Sequence, residues 1–331
     1  MRFTAVRFVF FACLLVVAAP VPAFDLQGHR GARGLAPENT LPAFAQALSI
    51  GVSTLELDVG VTRDGVVVVA HDRRLNPELT RDANGKWLEA PGPAIHALTY
   101  AELARYDVGR AKPGSRTARR YPQQQPADGA RIPRLAEVFA LAARASNAAV
   151  RFNVETKLDP ERADETLPPE PFARAVIGEI RKAGVATRST LQSFDWRTLQ
   201  VVQREAPEIA TVYLSARQNW LDNIRADATL GSPWTAGIRF AQHGSVPHMV
   251  QAAGGRIWSP YHGDLDAAQL AAARALGLRV IVWTVNDPAR IAALLDLGVD
   301  GIISDYPDRV RAELQRRGLP LPPATPDAGR R

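Results

Sequence analysis

The sequence predicts a (β/α)8 TIM barrel with an inserted cap region after its second and third strands. From Phe24 onward, short apolar runs alternate with segments of helical period, which is the pattern of βα units around a parallel sheet. About eight such steps fit this barrel, which typically takes about 250 residues plus insertions. An open doubly wound sheet is disfavoured, because Gly28, Gly31 and Gly34 lack the spacing of a dinucleotide-binding loop.

The elements follow in order along the chain. Strands are predicted at 24–29, 54–60, 66–71, 150–156, 189–193, 209–214, 256–259, 279–284 and 300–304. A hairpin-like turn at 63–65 separates the second strand from the third. Helices are predicted at 43–50, 171–183, 265–276 and 288–297, where a proline start or a glycine stop frames a helical period.

Two segments do not fit the repeat. Residues 73–131 are rich in proline and glycine and too irregular for one barrel step, so we expect a cap beside the site. Residues 319–331 are proline-rich and predict a flexible tail. One barrel domain is therefore expected over 24–318, with the cap inserted in it.

The first 23 residues predict a secretory signal peptide. Arg2 and Arg7 precede an apolar run at 8–19, and small residues and prolines follow up to a cleavage site after Ala23. A membrane anchor is the alternative, but a span needs roughly 20 apolar residues and this run is shorter. We therefore expect an exported protein, periplasmic or secreted, without stable membrane insertion after cleavage.

Composition excludes several classes of protein. With 46% hydrophobic and 22% charged residues, the chain is neither collagenous, coiled-coil nor wholly disordered. Its one cysteine, Cys13, lies in the predicted signal peptide, which excludes an intramolecular disulfide and a thiolate metal site. A net charge of +6 without a dense basic run argues against nucleic-acid binding, although it can attract an anionic substrate.

Acidic residues occupy two predicted strands. Glu56 and Asp58 face one side of their strand because side chains alternate. Two inward carboxylates need a cation or a shared proton, so the pair predicts a metal site or an acid/base dyad, with a solvated edge strand as the alternative. Glu155 and Lys157 share a face of another strand. They form an ion pair, or else Glu155 is a third metal ligand and Lys157 is free for an anion.

His29 and His71 end two predicted strands, and Arg30 follows the first. In a parallel barrel the carboxyl ends of the strands share one rim, where the chemistry of this fold is found. The set suits phosphodiester cleavage, which needs a cation, basic groups for the anion, and an acid with a base. Arg30 and Lys157 would hold the phosphate, and oxygen ligands favour Mg²⁺ or Ca²⁺ over zinc.

Seven motifs together resemble the glycerophosphodiester phosphodiesterase family, and the resemblance covers nearly the whole chain after the predicted signal peptide. They are HRG at 29–31, APENTLPAF at 36–44, ELDV at 56–59, HD at 71–72, ETK at 155–157, WTVN at 283–286 and DGIISDYP at 300–307. The predicted export and the long insertion are similar to the family's periplasmic members.

The resemblance implies hydrolysis of glycerophosphodiesters to glycerol 3-phosphate and an alcohol. In the family, the glycerol hydroxyl is thought to attack phosphorus and expel the alcohol, and water then opens the cyclic phosphate. The implied roles are metal ligation by Glu56, Asp58 and Glu155, acid/base catalysis by His29 and His71, and phosphate binding by Arg30 and Lys157.

Other polar and aromatic residues have weaker signals. Gln192 ends a strand, where its amide either contacts substrate or serves the structure. Trp283 is similar to the aromatic residue that walls the family's glycerol pocket, with a place in the core as the alternative. Asn39 is expected to cap the helix that starts near Thr40, and the resemblance also allows it to orient Arg30 or the substrate. The remaining histidines match no catalytic motif and are expected to be structural or exposed: His96, His243, His248 and His262.

Alternative functions share parts of this pattern. A phospholipase D acting on lysophospholipid or sphingomyelin would use the same metal and histidines, but the predicted cap lacks a continuous apolar patch, which favours a soluble, deacylated substrate. A non-catalytic exported binding protein should lack a histidine or a metal carboxylate, and none is missing here. A sugar isomerase would not need Arg30 and Lys157 for a diester.

Overall fold

The computed structural model describes residues 23–325. The predicted signal peptide lies outside the described residues except for Ala23, and Cys13 lies outside them with it. Residues 326–331 of the predicted tail also lie outside. Across residues 23–325, no helix combines the length and the apolar character that crossing a membrane requires.

Nine of the eleven strands in residues 23–325 form one sheet, and eight of these are parallel and close into a barrel. The strands are β1 (Asp25–Gly28), β2 (Thr54–Val61), β3 (Val67–Val69), β4 (Arg151–Thr156), β5 (Ser189–Ser193), β6 (Ala210–Ser215), β7 (Arg217–Gln218), β8 (Leu221–Asp222), β9 (Ile257–Pro260), β10 (Arg279–Val282) and β11 (Gly301–Ser304). The ring runs β1-β2-β4-β5-β6-β9-β10-β11 and returns to β1. The predicted barrel fold is confirmed.

Most of the helices follow the barrel strands and cover the outside of the ring, and two short ones lie in the insertion after β3. They are α1 (Leu41–Ile50), α2 (Tyr100–Leu103), α3 (Arg116–Arg120), α4 (Leu135–Arg144), α5 (Pro169–Lys182), α6 (Trp196–Glu205), α7 (Phe240–His243), α8 (Val246–Ala252), α9 (Ala267–Ala275), α10 (Pro288–Leu297) and α11 (Pro307–Arg316). The outward residues of the strands, such as Leu55, Leu57 and Phe152, are buried against them in one large apolar core.

Two helices begin where an N-cap residue places them, which differs from the predicted positions. Thr40, not Asn39, caps α1, because its side chain accepts a hydrogen bond from the Ala43 N–H. Asp266 caps α9 and forms a reciprocal capping box with Gln269, so this helix begins after the predicted start at residue 265.

The inside of the barrel is divided into a polar and an apolar half. Strands β6, β9, β10 and β11 contribute an inner apolar cluster of Val212, Ile257, Ile281 and Ile303. Strands β1, β2, β4 and β5 instead turn buried carboxylates and amides inward. Because buried polar groups need partners, the polar half is where a hydrogen-bonded site can be built.

The cap, residues 73–131, leaves the barrel after β3. It contains α2, α3 and a 3-10 turn (Ile95–Ala97), and its apolar residues form a small core of their own with β3. Its far end crosses to the loop after β1, where the Gln124 side chain donates to the Arg33 carbonyl and the Gln125 N–H to the Leu35 carbonyl. The cap therefore lies at the rim formed by the carboxyl ends of the strands.

The first part of the predicted tail lies along the opposite end of the barrel. The Thr325 N–H donates to the Leu48 carbonyl, and Asn147 donates to the Thr325 hydroxyl. The Arg311 side chain donates to the Pro322 carbonyl. These bonds hold residues 322–325, and the flexibility of the remainder stays a prediction.

Gly31 tests how tightly the loop after β1 is packed. Both Gly31 and Gly65 have left-handed φ angles, of +86° and +80°, but a Cβ at Gly31 would lie 2.6 Å from the Ala43 carbonyl carbon, and one at Gly65 meets nothing within 4 Å. We expect Gly65→Ala to cost about 1 kcal/mol of unfolding free energy, from φ strain alone. Gly31→Ala should cost about 3 kcal/mol or more, because backbone must move. If denaturant titrations showed the same loss of unfolding free energy for both variants, the tight packing at Gly31 would be contradicted.

Candidate active site

Three carboxylates meet inside the polar half of the barrel. Glu56 and Asp58 alternate inward on β2, and Glu155 does so on β4, where it lies in register with Asp58. One oxygen from each lies within 4.8 Å of the others, and all three side chains are buried. These three residues, here named the carboxylate triad, are brought together by strand alternation and by the pairing of β2 with β4.

Burial and mutual repulsion shape the charge of the triad. Burial, with the charges of Asp58 and Glu155, raises the pKa of Glu56 well above its ordinary value. Burial and Asp58 also raise the pKa of Glu155 to about 7, although Lys157 opposes the rise. Burial alone would raise the pKa of Asp58, but Arg30 and Lys157 outweigh it and hold that pKa far below its usual range.

The triad has the chemistry of a site for a divalent cation. Asp58 Oδ1 is buried and accepts no hydrogen bond from any described residue. A buried carboxylate oxygen without a donor costs free energy that a bound cation would recover. All the ligand atoms are oxygens, which suits hard cations such as Mg²⁺ and Ca²⁺. The residues present therefore fit a metal ion.

Two cationic side chains border the triad. Arg30 follows β1 with a left-handed φ of 51°, and its Nε lies 3.1 Å from Asp58 Oδ2. Its N–H donates to Glu56 over 2.8 Å, and its Nη1 donates to Glu38 over 2.6 Å. Lys157 Nζ lies 2.6 Å from Glu155 Oε1 and 3.6 Å from Asp58 Oδ1. Both predicted phosphate-binding residues thus lie beside the carboxylates.

His29 is held in one orientation by a buried carboxylate. Its Nδ1 lies 2.6 Å from Asp305 Oδ1, and its Nε2 lies 4.0 Å from Glu56 Oε2. Because a carboxylate only accepts, the bond to Asp305 places a proton on Nδ1 and leaves Nε2 directed to the triad. Burial lowers the pKa of His29 to about 4 against the opposing charge of Asp305, so the ring is neutral near pH 7.

Asp305 is fully buried and bonded by four different side chains. Besides His29, it accepts from Arg33 at 3.0 Å, Asn286 at 2.7 Å and Tyr121 of the cap at 3.2 Å. Burial alone would raise its pKa, but Arg33 and His29 hold that pKa well below its ordinary value. In the sequence, Asp305 stands within the DGIISDYP motif, and no separate role is predicted for it. Its position directly after the last barrel strand was the signal that could have revealed it.

His71 reaches the site by a different route from the one expected. The sequence predicts a strand end on the parallel rim, but β3 runs antiparallel to β2 and returns alongside it. The Ala70 N–H donates to the Asp58 carbonyl, which brings His71 to the level of the triad. Its Nδ1 lies 2.8 Å from Asp72 Oδ1, and 31% of its side chain is exposed. Desolvation, with the charges of Arg30 and Lys157, lowers its pKa.

The two remaining predicted contacts have different surroundings. Gln192 is buried below the triad, where it donates to Glu56 over 2.7 Å and accepts from Asn153 over 2.8 Å. Trp283 lies edge to face with Phe194, Trp220 and Tyr261 in a cluster named here the aromatic wall. In the ring of eight strands, β9, which leads into Tyr261, lies opposite β2. Gln192 therefore orients a triad member, and Trp283 belongs to the facing side of the mouth.

Two further residues support the triad without having been assigned to it. Asn39 donates to Asp58 Oδ2 over 2.9 Å and has a left-handed φ of 56°, so its side chain serves the triad rather than a helix cap. Glu38 is shared between Arg30 and Arg33. Among the histidines without a motif, His248 is exposed and bonds to Ser245. His262 instead lies beside the aromatic wall, with its ring centroid 4.7 Å from that of Tyr261.

Comparisons with known proteins point to one family. Residues 29–309 match the model of the glycerophosphoryl diester phosphodiesterase family. The chain is 26% identical, over 88% of its length and 97% of the relative's, to a glycerophosphodiester phosphodiesterase of Caldanaerobacter subterraneus subsp. tengcongensis. It is 27% identical to one of Bacillus subtilis (strain 168), over 85% of this chain and 83% of that one.

Solved structures share the fold along nearly the whole chain. A Silicibacter pomeroyi DSS-3 protein, provisionally assigned as a glycerophosphoryl diester phosphodiesterase, is 37% identical with a TM-score of 0.79, over 90% of this chain and 95% of that one. An Oleispira antarctica phosphodiesterase, solved with the product sn-glycerol-3-phosphate, is 23% identical with a TM-score of 0.63, over 88% and 96%. The prediction of an enzyme of this class is confirmed, and the chain belongs to the glycerophosphoryl diester phosphodiesterase family.

Proposed function

We propose that the protein hydrolyses glycerophosphodiesters to glycerol 3-phosphate and an alcohol, with a divalent cation and two histidines. The observation that carries the proposal is the carboxylate triad with the unbonded Asp58 Oδ1, set between His29 and His71. The product bound to the Oleispira antarctica relative supports the choice of substrate class. Glu56, Asp58 and Glu155 would hold the cation, either Ca²⁺ or Mg²⁺, which when bound draws charge from the phosphoryl oxygens.

Arg30 and Lys157 bind the phosphate in this proposal. Arg30 is buried and Lys157 is partly buried, and both stay charged, since neighbouring carboxylates raise the pKa of each despite the loss of hydration. The planar guanidinium of Arg30 suits two phosphate oxygens, and the ammonium of Lys157 acts as a point charge. The glycerol moiety packs against Trp283 of the aromatic wall, and Gln192 keeps Glu56 in place.

The histidines transfer the protons. His29 Nε2 takes the proton of the attacking glycerol hydroxyl, because Asp305 occupies its Nδ1. The new oxygen–phosphorus bond forms, and the bond to the alcohol oxygen breaks with its electron pair. His71 enters this step as an imidazolium, whose charge is offset by Asp58 and Asp72, and gives its Nε2 proton to that oxygen, so the alcohol leaves neutral. Water then opens the cyclic phosphate with the two roles reversed, which restores both histidines and yields glycerol 3-phosphate.

We further propose that this activity is exported. The basic start, apolar run and processing site at 1–23 support secretion or a periplasmic location, with residues 24–318 as the working domain. The expected partner is a soluble glycerophosphodiester. The modest net charge argues against nucleic-acid binding.

The first prediction concerns the reaction and its cation. Purified residues 24–331 should release glycerol 3-phosphate from glycerophosphocholine, lose this activity in EDTA, and regain it with Ca²⁺ or Mg²⁺. Glu155→Gln should need a higher cation concentration for half activity, because one ligand charge is lost. Glu161→Gln, on an exposed side chain of the same loop, is the matched control. Cleavage of lysophospholipid alone would instead favour the phospholipase D alternative.

The second prediction concerns the acid/base pair. His29→Ala and His71→Ala should each lower kcat on the order of a hundredfold or more, since each removes a positioned acid or base. His243→Ala, which alters a histidine with no described hydrogen bond, should retain activity. Steady-state kinetics at saturating cation measure the effect. Full activity in both site variants would show that the histidines do not transfer the protons.

The third prediction concerns the orientation of His29. Asp305→Asn should lower kcat about a hundredfold or more with little change in KM, because an amide donor facing Nδ1 favours the wrong ring tautomer. Tyr121→Phe removes another bond to Asp305 without touching His29, and should stay within a few-fold of the parent. If both variants lost activity equally, Asp305 would matter for packing rather than for the tautomer.

A further inference from the structure

A cavity between the cap and the barrel opens beside the catalytic centre. It encloses about 50 Å³, and His71, Asp72 and Asn39 lie on its barrel side. Its other walls are mostly apolar and come from β3 and from the cap: Val69, Leu75, Leu79, Ile95, Val108 and Ile132. Because His71 lines the cavity, the cavity adjoins the place where the proposed proton donor acts.

The charged groups that line this cavity already have partners in the protein. Of the two carboxylates that line it, Glu38 is bonded to Arg30 and Arg33, and Asp72 is bonded to His71 and Asn76. Two guanidiniums also line it: Arg110 is bonded to Asp128, and Arg74 donates to the Gly92 carbonyl. A charged ligand group would therefore have to compete with these bonds and would lose its hydration. The lining favours a neutral, apolar group.

Cationic head groups have a second disadvantage in this cavity. Quaternary ammonium groups are recognised by aromatic cages or by free carboxylates. Among the described residues that line the cavity there is no Phe, Tyr or Trp, and the aromatic wall lies across the barrel mouth. Choline and ethanolamine esters would gain nothing from this side of the site.

We propose, on the basis of the proposed function, that the cap cavity binds the leaving alcohol and selects esters of small apolar alcohols. When the glycerol moiety packs on the aromatic wall, the leaving alcohol on the other side of the phosphate points to His71 and into the cavity. A water needs about 10–15 Å³ of such volume, so the space takes a chain of about three to five heavy atoms. It is too small for a fatty acyl chain.

The test compares two diesters that differ only in the leaving alcohol. The kcat/KM for release of glycerol 3-phosphate is measured with glycerophospho-n-butanol and with glycerophosphoglycerol. We expect the butyl ester to be preferred about tenfold or more, since one methylene in an apolar pocket is worth about tenfold or more in kcat/KM. Val108→Phe fills the cavity and should lower the preference at least fivefold. Leu79→Phe offers a second way to fill it.

Val66→Phe is the matched control. Val66 packs on the same small core of the cap but does not line the cavity, so this variant should keep the preference of the parent within twofold. Equal kcat/KM values for the two esters in the parent enzyme would overturn the inference while leaving the proposed function intact. The inference would also be overturned if Val108→Phe lowered kcat/KM equally for both esters. Absence of hydrolysis of either ester would overturn the proposed function and this inference with it.

Discussion

The structure depends on the confinement of three carboxylates in the interior of the barrel. Glu56, Asp58 and Glu155 are buried within 4.8 Å of one another, where like charges repel strongly and hydration is lost. Arg30 and Lys157 offset much of this cost, and their placement follows from it. The remaining deficit at Asp58 Oδ1 is one that a bound cation would offset.

The rest of the polar half supports this cluster. Gln192 fixes Glu56 and is itself held by Asn153, which also donates to Gln27 on β1. This amide layer spans β1, β4 and β5 below the triad, so the buried side-chain amides have hydrogen-bond partners. The apolar half, with Ile281 and its neighbours, needs no such pairing. The chemistry is therefore confined to one side of the barrel interior.

Asp305 joins three distant parts of the chain at the rim. It follows β11, orients His29 after β1, and accepts from Tyr121 of the cap. Asp305 therefore links the orientation of the His29 imidazole to the position of the cap, because both depend on hydrogen bonds to this one fully buried carboxylate. The cap in turn encloses the cavity next to His71, so the insertion contributes to the site through its packing as well as through its position.

The sequence by itself determined the barrel and the inward direction of the carboxylates on β2, because both follow from local rules. Alternation in β2 placed Glu56 and Asp58 inward, and the order of strands and helices specified a parallel ring. Contacts between residues far apart in the chain were beyond those rules. Only the tertiary structure showed that Asp305 holds His29 across 276 positions, that Asn39 bonds Asp58, and that an antiparallel β3 delivers His71. These partners are selected by burial, which local patterns do not encode.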